Sequence, residues 1–190
     1  MTSMRFPLIP TLVVLGAVAV MIALGFWQLG RAEEKDALIA RYSAASRQDA
    51  PAAFPTGAAE AERNLYRRSR LVCADVLAIQ GGAGTSAGGA KGWAHQATCR
   101  TADGNRAQVA LGFSQNPRSP TWAGGPVQGI VAPGPRLVAD PPVAGLEPLA
   151  KPDPGDLPNN HLAYAGQWFF FAAIALVVYV LALRQRQSRG

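Results

Sequence analysis

The chain has 190 residues, 49% hydrophobic and 16% charged, with a formal net charge of +6, two cysteines and two histidines. Of that charge, +4 lies on two short terminal tails and +2 on the segment between them. The excess therefore marks the ends of the chain and gives no support for nucleic acid as a partner.

Residues 1–7 form a tail whose only charge is Arg5, and Leu8 to Leu29 then runs without any. At about 1.5 Å per residue this run covers a hydrocarbon core of about 30 Å, so residues 8–29 are expected to form a first transmembrane helix. A cleaved signal peptide has a shorter apolar region followed by a small-residue cleavage site, so an uncleaved signal anchor is expected. The short stretch before it leaves no room for an Arg-rich transit peptide, which points to a bacterial chain. The run closes on Gly25-Phe26-Trp27-Gln28-Leu29-Gly30-Arg31. Trp27 suits an interfacial anchor, or a site shared with Gln28 at the membrane surface.

Beyond the span, Leu38, Ile39 and Tyr42 fall at helical spacing among charges. A helical extension is expected over 30–50, ended by Pro51 and Pro55. The core expected over 65–140 is β-rich. Leu71 to Ile79 is a short apolar run bounded by Gly81-Gly82, and Arg106 to Phe113 is a second strand; Gly92–Thr101, Pro126–Val131 and Arg136–Val138 are weaker ones. Residues 81–92, rich in glycine, read as a flexible hairpin tip.

Within that tip Gly84-Thr85-Ser86-Ala87-Gly88 matches the nucleophile-elbow pattern, and Ser86, Asp103 or Asp140, and His161 follow hydrolase order. An elbow needs a strand leading into a buried helix of a parallel α/β sheet, which this Gly/Ala-rich run does not offer. With no Gly-Lys-Ser/Thr closing it, a phosphate loop is excluded too. No enzyme is expected. Cys73 and Cys99 both fall in expected strands. They suit a disulfide if those strands are neighbours, two free buried thiols, or a metal site with His95.

Five prolines from Pro141 to Pro154 mark an irregular, Pro-rich return over 141–158, read as a strap over the domain. Ala163 to Leu183 carries no charge and is the second expected transmembrane helix. On a helix, His161, Tyr164, Ala165, Trp168 and Ala172 share one face, with roughly 10 Å of rise from His161 to Trp168. That stripe suits a flat, partly apolar ligand at the membrane surface. The same residues also suit a plainer arrangement, with Asn160 as N-cap and Tyr164 and Trp168 as an aromatic belt. Residues 184–190 carry Arg184, Arg186 and Arg189 without an acid. Both termini are therefore expected in the cytoplasm, with 30–162 in the periplasm.

Gly25 to Ile39 resembles the signature that closes the first span of the surfeit locus protein 1 family of cytochrome c oxidase assembly proteins, in its bacterial form. Asn159-Asn160-His161-Leu162, with Tyr164-Ala165 and Trp168-Phe169, resembles that family's second-span signature. The resemblance is close over some forty residues and holds only in outline between them. There the strand that in the family ends in an Arg-Gly-Trp type turn reads Ala110-Leu111-Gly112-Phe113.

The resemblance implies a membrane protein in which two transmembrane α-helices flank a small α+β, mostly antiparallel β extracytoplasmic domain. It implies an inner-membrane factor that binds haem a and assists its insertion into cytochrome c oxidase subunit I, with haem A synthase and membrane lipid as further partners. His161 and Trp168 occupy the positions associated with haem, His161 as axial iron ligand, with Tyr164, Trp27 and Gln28 beside them. The imidazole's second nitrogen would then need an acceptor, which Asn159 or Asn160 could supply. The alternative is a scaffold that stabilises an oxidase assembly intermediate without touching haem.

Overall fold

The computed structural model describes residues 7–188, so Arg5 and Arg189, on which part of the expected orientation rests, lie outside the described residues. The chain forms two compact units. One comprises the residues up to Leu38 and from Pro158 onward, and the other comprises Ile39–Leu157. The helical unit includes residues 30–38 and 158–162.

Helix α1 runs over Leu8–Ser46 without a break at Leu29, and α3 over His161–Ser188. Both are long and apolar enough to cross a bilayer. In the helical unit they run antiparallel: Thr11 hydrogen-bonds Tyr179 at one end and Gln28 meets His161 at the other. The less exposed positions of α1 recur at spacings of three and four, through Thr11, Val14, Val18, Met21, Gly25, Gln28 and Ala32, as a helix-pairing seam requires. Small residues let the backbones approach. A Cβ on Gly25 would lie 2.5 Å from the Phe169 ring, while Ala165 and Ala172 are buried. The remaining faces are apolar and exposed, with Leu8, Ile9, Leu12, Phe170 and Val178 among them.

The second unit is built on a mixed sheet in the order β1-β2-β3-β4-β6-β5, closed by a further β2–β5 pairing. Its strands are β1 Ala52–Ala53, β2 Arg68–Thr85, β3 Lys91–Thr101, β4 Arg106–Ser114, β5 Gly125–Ala132 and β6 Arg136–Ala139. Strand β2 makes closure possible because it serves two neighbours. Arg68–Cys73 pairs with β5 and Cys73–Thr85 with β3, the change falling at register shifts between Cys73 and Asp75 and between Val76 and Ala78. A bulge bends its strand and increases the local twist, which turns β2 from one side of the barrel to the other. The β1–β2 and β4–β6 pairs are parallel and the others antiparallel. Inside, Leu71, Ala97, Val109, Leu111, Val131 and Leu137 make the core.

A disulfide joins Cys73 to Cys99 (S–S 2.10 Å) beside that change of partner. With Cys99 held in that bond, no thiol stands beside His95 for the metal site considered above. His95 is wholly buried, with Nε2 3.0 Å from Ser114 Oγ. The glycines after Ile79 do not end the strand as expected. Pairing runs on to Thr85↔Lys91, since Gly84 and Gly92 are where Ala94 and the Phe113 ring press closest: an added Cβ would meet each at 2.6 Å. The segment is thus a paired hairpin rather than a flexible tip. Ser86 is buried in its turn, where Oγ accepts from the Ala90 amide at 3.1 Å, with no helix following. This rules out the elbow.

The Pro-rich return is laced to the barrel by backbone bonds: Val143 to Leu111, Glu147 and Phe113 reciprocally, and Ala150 to Thr85, all at 2.8–3.0 Å. Helix α2, Ala58–Asn64, presents Glu62 to the phenol of Tyr42, which donates to it at 2.8 Å. Burial and that bond push the Tyr42 hydroxyl up to about 12. Burial, with Asp156 and Asp153 nearby, raises Tyr66 as well.

Candidate functional site

The polar groups of the helical unit gather where α3 begins. Asn160 lies just outside the helix and its carbonyl accepts the first-turn bond from the Tyr164 amide at 3.2 Å. Immediately before it, the Asn159 side-chain amide donates to Ala32 O at 3.3 Å and to Asp36 Oδ1 at 2.7 Å. The start of α3 is thereby tied to two successive turns of α1. His161, the next turn-forming residue, places Nδ1 2.7 Å from Gln28 Oε1.

An amide oxygen only accepts, so Nδ1 carries the proton in this pair. In the neutral ring the other nitrogen, Nε2, then keeps its lone pair. It makes no hydrogen bond to any described residue, and it is not among the buried unpartnered atoms. His161 therefore presents an accessible electron-pair donor whose tautomer is set from the rear. The acceptor expected from Asn159 or Asn160 is supplied by Gln28 instead. Asn159 is committed as a donor to α1, because α3 begins just after it and its side chain lies over Ala32 and Asp36.

The stripe expected as a ligand platform divides into two parts. Ala165 and Ala172 are 1% and 4% exposed, buried in the helix pair, and so cannot back a flat molecule. Tyr164 and Trp168 lie at the edge of the seam. Tyr164 is 49% exposed, while Trp168 is partly buried and packs edge-on to Phe171 with ring centroids 6.4 Å apart. Gln28 reaches His161; Trp27, one residue and about 100° earlier on the helix, is 58% exposed and has no ring contact among the described residues. Asp36 escaped sequence reasoning because a carboxylate six residues past Gly30, among Glu33, Glu34 and Lys35, reads as part of a solvated charge run. Its spacing from Gln28, eight residues, was the available signal.

The residues here that could hold a metal-bearing group are His161, through Nε2, with the rings of Tyr164 and Trp168 on the same helix. Among the described residues no group of three or more His, Cys, Asp or Glu gathers as a metal cage.

The sequence model of the SURF1 family matches residues 15–173. That span begins within α1, takes in the whole sheet and ends within α3. Comparison with curated proteins finds no match.

Proposed function

The chain belongs to the SURF1 family, whose members serve in cytochrome oxidase assembly, and from that premise we propose that it is a non-enzymatic haem a chaperone of the bacterial inner membrane. In this reading α1 and α3 span the bilayer, both termini are cytoplasmic and the barrel stands in the periplasm. Arg184 and Arg186, at the end of α3, favour that orientation. Haem a is the cargo, received after haem A synthase and handed to oxidase subunit I.

The observation that carries the reading is the Gln28–His161 pair, which leaves Nε2 of His161 free to donate to iron. Tyr164 and Trp168 offer ring faces to a macrocycle, and the exposed apolar helix surfaces leave its hydrocarbon tail in lipid. Docking on subunit I, where a competing ligand set awaits, then draws the cargo off.

The test is a pyridine haemochrome assay on protein purified in mild detergent from a haem A-producing host. Wild type is expected to carry haem a, Trp168→Ala less of it and His161→Ala almost none, with the disulfide intact in all three. Folded wild type that never carries haem would replace this reading with a scaffold that holds an assembly intermediate through the same helix ends.

A further inference from the structure

Gln28 has a role separable from contact with any cargo. We propose that Gln28 is a positioning residue: its amide oxygen holds His161 as the Nδ1–H tautomer and so fixes Nε2 as the donor atom. The geometry stands on its own, while its purpose rests on the haem-chaperone reading.

Three observations carry it. First, the 2.7 Å contact joins an acceptor-only oxygen to a ring nitrogen, which leaves one protonation pattern for the neutral ring. Second, Gln28 is held on both sides along α1. Three residues earlier Gly25 admits the Phe169 ring at a distance no Cβ would allow, and four residues later the Ala32 carbonyl receives Asn159. The amide therefore meets the imidazole at a fixed depth and rotation. Third, Asn159, the neighbour best placed to compete, has its amide N–H groups bonded to Ala32 O and Asp36, and among the described residues its Oδ1 is buried without a hydrogen-bond partner, so the imidazole is met there by Gln28 alone.

The choice of amide over carboxylate has a consequence. Partners behind a metal-bound histidine are commonly carboxylates or carbonyls, and a charged one raises the ring's basicity. A neutral acceptor orients the ring while adding less donor strength, which suits a ligand whose cargo has to leave. Replacing Gln28 by Glu should therefore preserve the tautomer and slow release, whereas an apolar residue of similar size should lose the tautomer.

The chain has two histidines, so 15N-histidine NMR of the haem-free protein in detergent micelles resolves this directly, with His161→Ala assigning the spectrum. In wild type at mildly alkaline pH, His161 should give a protonated, pyrrole-type Nδ1 and a pyridine-type Nε2. Gln28→Leu should average the two or reverse them, and Gln28→Glu should restore the wild-type pattern. In haem titrations Gln28→Leu should bind at least tenfold more weakly, and Gln28→Glu should release haem more slowly than wild type. A wild-type spectrum with the proton on Nε2, or a pattern indifferent to Gln28→Leu in a folded protein, overturns the proposal. Loss of the tautomer in Gln28→Glu does so as well. Should the tautomer follow Gln28 while wild type never binds haem, the chaperone reading fails and the assignment of Gln28 stands.

Discussion

His161 and Gln28 lie 133 positions apart and meet where α3 begins beside α1. The residues alone pointed to Asn159 or Asn160 as the acceptor from the imidazole. Gln28 takes that place, because the acceptor comes from the facing helix and the pairing of α1 with α3 is not written in either motif. Tyr42 makes a second test at this scale. Its folded phenol titrates near 12 against an ordinary 10.0, so the proton is held more tightly in the folded state. The stability it contributes is fully present below pH 10 and is lost as pH rises toward about 12. Tyr42→Phe should flatten that alkaline loss, leaving the part due to Tyr66, and cost roughly 1–2 kcal/mol near neutrality through the missing bond to Glu62. Urea unfolding across that pH range measures both. A variant with an unchanged alkaline slope would sink the assignment.

Between elements, contact distances decide more than composition does. The charge-free runs Leu8–Leu29 and Ala163–Leu183 were legible because a bilayer-length apolar segment needs no tertiary context, but the seam between the helices was not. Gly25→Leu should drive a side chain into the Phe169 ring, with overpacking worth about 1–3 kcal/mol. It should also loosen the Gln28–His161 contact, lowering the melting temperature in detergent and haem content together. Gly16, which has open space where its Cβ would be, is the control, and Gly16→Leu should change neither. Equal effects from the two substitutions would contradict the packing described. In the sheet, Gly81, Gly82 and Gly84 read as turn residues because glycine marks turns. Here pairing passes straight through them, and at Gly84 the missing side chain makes room for Ala94. The Cys73–Cys99 disulfide was legible as one option, because both cysteines fall in expected strands; that β2 and β3 are neighbours, with two register shifts in β2 beside the bond, was not. Replacing both cysteines by alanine should cost about 2–4 kcal/mol for a crosslink closing a loop of this size. A change under 1 kcal/mol in urea unfolding would mean that β2 changes partner without help from the bond.

For the whole molecule, the sequence gives its class through its ends. The motifs legible by eye are those at the helix ends, while the family model matches residues 15–173 and so takes in the barrel between them, where Ala110–Phe113 lies in the core and along the strap. The proposed function turns on this chain holding haem a through His161. Absorbance titration of purified haem-free protein with haem a in mild detergent, comparing wild type with His161→Ala, tests it most directly. A saturable spectral change at about one haem per wild-type chain is expected, weakened by at least tenfold, or about 1.4 kcal/mol, in the variant. No saturable change in folded wild type, or equal binding by the two proteins, would contradict it.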